Sequence, residues 1–267
     1  LIINLKIIMV ISSEAPLIKK KLVKLMIKKR LAVFLDIDGT LIDFANKPNE
    51  IIVPKNLKHL LYYLNNKVDG TLALISGRMI VDIERIFNPL KFYSSGSHGI
   101  EFKDSFEKYI ICNNKNIPKK IKKELSNFAK TYPGSFIEEK KFSIAFHYRN
   151  IPNIKLKAFK AISNFTQNSN YKILQGNHVI ELIPTNIDKG KAIAYFMKKP
   201  QFSKKIPIFI GDDYTDEFGF KFINDIGGIS VKVGNEKNTS ANFFTRDTRT
   251  VHNILKFILN KSDKIRC

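Results

Sequence analysis

Leu31-Ala32-Val33-Phe34-Leu35-Asp36-Ile37-Asp38-Gly39-Thr40 decides the fold. Five apolar residues in a row, with no polar alternation, predict a strand buried on both faces, as in a parallel sheet. The run stops abruptly at two carboxylates, which are costly beside a core unless something uses them. Downstream, Pro54 to Asn66 predicts a helix with proline in its first turn and Leu57, Leu60, Leu61 and Leu64 on one face. Thr71 to Ile75 predicts a second buried strand, ending at Ser76-Gly77-Arg78. A helix near Ile80 to Phe87 and a short strand at Phe92 to Ser94 continue the alternation, which argues for an α/β fold with a three-layer parallel sheet.

From about Phe102 to Pro184 the pattern changes. Alternating strands at Ser135 to Glu138, Phe142 to Tyr148 and His178 to Ile183, with helices near Pro118 to Tyr132 and Asn153 to Asn168, predict an inserted α+β cap domain over residues 103–184. The parallel pattern then resumes with helix Lys189 to Lys198, strand Ile206 to Ile210, strand Gly228 to Val233 and a last helix at Thr250 to Leu259. Residues 30–102 and 185–267 therefore form the core.

The 267 residues suit one large or two modest domains at about 150 residues each, and 44% are hydrophobic. The net charge of +21 raises a polyanionic partner as one reading. However, 38 Lys against 7 Arg, with 39 Ile and 24 Asn, is the bias of an A- and T-rich coding sequence, and the lysines are scattered through the predicted helices. Nucleic-acid surfaces favour clustered Arg forks, so no nucleic-acid partner is expected. Cys112 and Cys267 imply neither a disulfide scaffold nor a zinc site, which fits a reducing cytoplasm. Leu1 to Ile11 is apolar apart from Asn4 and Lys6, but it is too short to span about 30 Å of hydrocarbon and its basic cluster follows rather than precedes it. Residues 1–29 are accordingly read as an extension, and no membrane partner is expected.

Ligands of open parallel sheets sit beyond the carboxyl ends of the strands, and three such ends deliver Asp36/Asp38, Ser76 and Asp212/Asp213. Acidic clusters brought together call for a hard cation, and Mg²⁺ takes carboxylate oxygens together with phosphate. One carboxylate can attack phosphorus while a second, two residues on, exchanges protons with leaving group and water.

These residues resemble the haloacid dehalogenase-like phosphatases: Phe34 to Leu41 is similar to their first motif, Ser76 to the second, Lys189 to the third and Gly211-Asp212-Asp213 to the fourth. A narrower resemblance, from about Arg30 to the last helix, is to the trehalose-6-phosphate phosphatase family. It rests on Leu74 to Arg78, Gly96-Ser97-His98-Gly99-Ile100-Glu101, Glu138-Glu139-Lys140 with Ala145 to Arg149, Asp188-Lys189-Gly190 and Gly211 to Glu217.

The resemblance implies Asp36 as nucleophile and Asp38 as general acid and then base. It implies Mg²⁺ held by Asp36, the Asp38 carbonyl and Asp212, with Asp213 and Asp216 behind them. Ser76, Gly77 and Lys189 would hold the phosphoryl group, helped by the Gly39 and Thr40 amides. Asp36, Ile37, Asp38, His98, Glu101, Glu138, Lys140, His147, Arg149 and Glu181 would form the substrate-contacting and cap-closing set. Arg78 reads best as an ion-pair partner, and His59, His178 and His252 as ordinary packing residues.

The chain departs from the family's pattern at Gly176-Asn177 and Ile183-Pro184, where a lysine after the glycine and a basic residue before the proline are usual. The expected substrate is trehalose 6-phosphate, supplied by a separate synthase. The alternatives are another sugar phosphate, or a basic nucleic-acid-binding protein on a retired enzyme scaffold. The intact Asp36, Asp38, Lys189 and Asp212 speak against the last.

Overall fold

The computed structural model describes residues 14–26, 30–44, 51, 53–104, 108–112, 117–167, 170–176, 178–234 and 238–261. In chain order the elements are α1 (Ala15–Met26), β1 (Leu31–Leu35), α2 (Lys55–Lys67), β2 (Leu72–Ile75), α3 (Ile80–Phe87), β3 (Tyr93–Gly96), β4 (Glu101–Lys103) and β5 (Tyr109–Ile111). There follow α4 (Lys119–Lys130), β6 (Phe136–Glu139), β7 (Ile144–His147), α5 (Lys155–Ser163), β8 (Tyr171–Gly176) and β9 (Val179–Pro184). The chain closes with α6 (Lys189–Met197), α7 (Pro200–Ser203), β10 (Ile206–Gly211), α8 (Glu217–Asp225), β11 (Ile229–Val233), β12 (Phe243–Thr245) and α9 (Thr248–Lys261).

The larger sheet has the order β12-β11-β10-β1-β2-β3-β4-β5. Pairing is parallel from β12 to β3 and antiparallel from β3 through β5. β1 lies between β10 and β2, so it is buried on both faces. Leu31, Val33 and Leu35 join the core beneath α1, α2 and α9, whereas Ala32 and Phe34 join the core beneath α6, α7 and α8. This is the three-layer arrangement that the unbroken apolar run predicts. It also fixes the site, because the carboxyl ends of β10, β1 and β2 lie side by side.

The smaller sheet, β6-β7-β9-β8, is antiparallel throughout. One face packs on α4 and α5 through Ile144, Phe146, Ile180, Leu182, Leu125 and Ala158. By strand alternation, Glu138, Ala145 and Glu181 form a row on the other face, aligned by the pairs Glu138↔Ala145 and Ala145↔Glu181. That face looks onto the carboxyl end of the large sheet.

Two boundaries differ from those drawn from sequence. Residues 1–29 were expected to lie outside the fold, yet α1 packs on the core with Ile18 and Leu22 fully buried and Leu25 beside them. Their i, i+4, i+7 spacing is a helical apolar stripe, and Glu14 ties the helix start to Phe244 through both its backbone and its side chain. From sequence the inserted unit begins at residue 103, but β4 and β5 extend the large sheet, which carries the core to Ile111. Among the described residues, no helix is long and apolar enough to cross a membrane.

Candidate active site

Asp36 sits one residue past β1, anchored by its N–H to the Ile210 carbonyl of β10 at 3.0 Å. Lys189 Nζ donates to Asp36 Oδ1 and to Asp216 Oδ1, each at 2.7 Å. Local chemistry aims that lysine. Asp188 caps α6 by accepting the Lys191 N–H at 2.8 Å. A Cβ on Gly190 would lie 2.4 Å from the Phe218 carbonyl oxygen, so only glycine lets α6 approach α8 this closely.

Asp216 is fully buried. Its second oxygen accepts the backbone N–H groups of Asp212 (3.0 Å) and Asp213 (2.9 Å), folding the turn after β10 around one carboxylate. The Asp213 side chain in return accepts the Asp216 N–H, which completes a reciprocal cap, and it also accepts the Tyr214 N–H. Asp213 and Asp216 therefore shape the turn that presents Asp212.

Carboxylate oxygens of Asp36, Asp212 and Asp216 lie within 4.8 Å of one another, around a single ammonium. Burial raises Asp36 to about 7 despite the pull of Lys189, with Asp216 and Asp38 pushing the same way. Burial, then the charges of Asp36 and Asp216, raises Asp212 to about 10. Burial lowers the affinity of Lys189 for its proton, but the two carboxylates more than offset this and hold it well above the usual lysine value. The cluster thus has surplus negative charge, the condition a cation relieves. Its donors are all oxygen, which fits Mg²⁺. Asp216 spends its oxygens on Lys189 and two N–H groups, leaving Asp36 and Asp212 as the side chains suited to the ion.

Asp38 faces the same cleft, gripped by Arg78: Nε donates to Oδ2 at 2.6 Å and Nη2 to Oδ1 at 2.7 Å. This fork matches the ion-pair role read for Arg78. Ser76 lines the cleft beside them, its Oγ accepting the Arg78 N–H at 3.1 Å. Gly77 packs on the His98 ring, where a Cβ would come within 2.5 Å. Gly39 has φ +77°, and a Cβ there would collide with Asp212 at 2.2 Å. The expected phosphate contacts from the Gly39 and Thr40 amides are not formed by free N–H groups, since these donate to the Ile42 and Ile37 carbonyls. Ile37 is buried in the core, so only its backbone reaches this turn.

The cleft has a volume of about 270 Å³ and opens between the two sheets. Its upper wall carries Glu138, Lys140, Val179 and Glu181. Glu181 is buried and accepts from Lys140 at 3.1 Å, from His98 Nε2 at 3.3 Å and from the Ser143 hydroxyl. Burial opposes its ionisation, but Lys140 and His98 outweigh that and hold it far below the usual carboxylate range. Among the described residues the buried Nδ1 of His98 has no partner, which suits a lone pair there and a hydrogen on Nε2 facing Glu181. His98 thereby joins the large sheet to the small one.

Besides Ile37, three expected contact residues are not in the cleft wall. Glu101 turns inward, accepting from Ser97 Oγ (2.7 Å), the Ile80 N–H (3.2 Å) and the Tyr109 hydroxyl. Its carboxylate braces the turn at Ser97 and His98, whose φ values of 49° and 58° lie in the left-handed region. His147 stands behind Glu138, 2.9 Å from Oε2 and stacked on Phe136, and lowers the Glu138 pKa. Arg149 is exposed beyond the end of β7. Phe44 and Met79 line the cleft without having been marked in the sequence. Of the two departures, Asn177 lies outside the described residues. Ile183 is fully buried in an apolar seam with Ile100, Phe142, Leu174 and Ile187, where a charged side chain would be costly.

The sequence profile of the Trehalose-phosphatase family matches residues 34–249. Trehalose-6-phosphate phosphatase of Escherichia coli K12 is 37% identical over 207 residues, 77% of this chain and 78% of that protein. A probable trehalose-phosphate phosphatase of Sinorhizobium fredii is 35% identical over 205 residues, 76% of this chain and 77% of that protein. The C-terminal domain of a Candida albicans trehalose-6-phosphate phosphatase superposes with a TM-score of 0.81 at 23% identity, over 92% of this chain and 96% of that one, a likeness of fold. A haloacid dehalogenase-like hydrolase from Bacteroides thetaiotaomicron shares the fold at a TM-score of 0.60 and 17% identity, over 86% and 99% of the chains.

Proposed function

The chain belongs to the trehalose-phosphatase family, and on that premise we propose that it hydrolyses trehalose 6-phosphate to trehalose and phosphate through an aspartyl-phosphate on Asp36. The observation that carries this is the buried Asp36–Lys189–Asp216 chain beside Asp212, at the adjoining ends of β1 and β10. Asp36, Asp212 and the Asp38 carbonyl would hold Mg²⁺. Bound there, the ion neutralises phosphate charge and polarises the phosphoryl oxygens.

An Asp36 carboxylate oxygen attacks phosphorus, and the bond from phosphorus to the sugar oxygen breaks. Asp38 protonates that oxygen. Asp38 then takes a proton from the water that attacks the acyl phosphate, releasing phosphate and restoring Asp36. Lys189 stays beside the reacting oxygens and balances their charge, while Ser76 borders the phosphoryl end. Because Arg78 occupies both oxygens of Asp38, the fork must open and Asp38 must take up a proton before it can protonate the leaving oxygen. An incoming phosphate dianion competes for that guanidinium. Residues 117–184 act as the cap, presenting Glu138, Lys140 and Glu181 to the sugar and excluding water. His147 orients Glu138, and Glu101 sets the His98 turn.

Substrate comes from a separate synthase in the cytoplasm, and the net charge of +21 draws it in as an anion rather than serving nucleic acid. Asp36→Asn is the test. The purified variant should fold and bind trehalose 6-phosphate but release no phosphate; appreciable turnover would remove Asp36 from the nucleophile's place.

A further inference from the structure

Phe44 is out of keeping with its surroundings. Leu41 and Ile42, just before it, are fully buried, and Gly39 to Ile42 form a closed turn over the end of β1. Phe44 instead leaves 52% of its surface exposed and lines the cleft. Its ring lies over Gly39, where Cε2 is 2.6 Å from the position a Cβ would take, on the same side as the Asp212 carboxylate. Single exposed apolar side chains are ordinary on a protein surface, so what sets Phe44 apart is its place in the cleft wall beside the Asp212 carboxylate.

The opposite wall explains what such a ring can serve. Glu138, Lys140 and Glu181 supply charged hydrogen-bonding groups from the cap, facing the core-side strip of Phe44 and Met79. The cap wall can read hydroxyls, and on the core wall, lined otherwise by charged groups such as Asp36, Asp38, Arg78 and Asp212, Phe44 and Met79 supply the large apolar surface. A pyranose has this same division: hydroxyls around its edge and C–H bonds on its faces. An aromatic face receives such a C–H face with high buried area and little loss of side-chain entropy.

We propose that Phe44 is a specificity-determining residue, the platform on which the leaving sugar rests while the cap binds its hydroxyls. The inference rests on the sugar-phosphatase reading above and deepens it. Placed beside Asp212 and above Gly39, the ring holds the sugar within reach of Asp38 without touching the reacting atoms. It adds a selection that charge alone does not provide, because a phosphate ester lacking a pyranose face gains nothing from it.

The test compares wild type with Phe44→Ala and Phe44→Tyr, measuring kcat and KM on trehalose 6-phosphate and inhibition by free trehalose and by inorganic phosphate. Phe44→Ala should raise KM for trehalose 6-phosphate and Ki for trehalose by about tenfold each, the scale of one lost apolar platform. The Ki for inorganic phosphate, which occupies only the phosphoryl end, should move less than about twofold. Phe44→Tyr should restore the sugar constants. Equal weakening of trehalose and phosphate, or no change in either, overturns the platform and leaves the phosphatase reading standing. Wild type that fails to turn over trehalose 6-phosphate overturns the reading itself, and the proposal falls with it.

Discussion

Replacing Asp216 by asparagine asks how much of the site depends on one buried carboxylate that touches no substrate. Asp216 accepts three donors: Lys189 Nζ at 2.7 Å and the N–H groups of Asp212 and Asp213 at 3.0 and 2.9 Å. An asparagine amide has one acceptor oxygen and brings its own N–H donors. It can keep the two backbone bonds only by turning its NH₂ toward the Lys189 ammonium, or keep Lys189 only by abandoning the turn. A bond to a charged group contributes about 1.5–3 kcal/mol, and breaking a buried pair costs about 3–5 kcal/mol. Removing one charge from an over-acidic cluster offsets part of this, leaving a net loss of about 2 kcal/mol. On the scale of about 2–4 °C per kcal/mol, Tm should fall by about 4–8 °C. Lys189 would no longer be fixed against Asp36, and kcat should fall about a hundredfold, equivalent to about 2.7 kcal/mol in the barrier. Calorimetry and phosphate release on the same preparation read both. A variant within about 1 °C and twofold of wild type would refute the claim that Asp216 organises Lys189 and the turn.

Leu22→Ala removes a fully buried side chain from α1 and should cost about 2–5 kcal/mol by urea unfolding if that helix is integral to the core; a cost below about 0.5 kcal/mol would show that it does not dock. Metal-free protein should lose stability as pH rises. Asp36 and Asp212 bind protons up to about 7 and about 10 when folded, whereas an unfolded aspartate releases its proton near 3.9. The native state thus binds more protons between those limits, and ∂ΔG/∂pH is negative there. With chelator present, Tm should be lower at pH about 8 than at about 5.5, and Mg²⁺ should restore it while releasing protons; a rising or flat chelator profile contradicts the raised values.

The grouping of acidic residues at the adjoining strand ends was legible because its signals are local. Leu31 to Leu35 carries no polar residue, Asp36 follows at once, and the same reading at Ser76 and Asp212 needs only the rule that parallel strands end together. Asp188-Lys189-Gly190 was legible only through the family resemblance, and the separate jobs of its residues in cap, charge and helix packing come from the structure. What was hidden depended on distant contacts or weak patterns. The stripe of Ile18, Leu22 and Leu25 is spaced for a helix but diluted by lysines and preceded by a more conspicuous apolar run. β5 and β12 are three residues each, and only pairing with β4 and β11 makes them strands. Glu101 reads as a polar residue available to a ligand until the left-handed turn at Ser97 and His98 sends it back toward Ile80. Whether Phe44 is exposed is set by where the turn over β1 leaves the ring, which no window of sequence states.

The most direct test is phosphate release from trehalose 6-phosphate by the wild-type chain, beside sucrose, glucose and mannosylglycerate phosphates, with Mg²⁺ and with a chelator. The predicted result is turnover strongest on trehalose 6-phosphate and abolished by the chelator. Equal turnover of all four sugar phosphates, or turnover that survives the chelator, would contradict it.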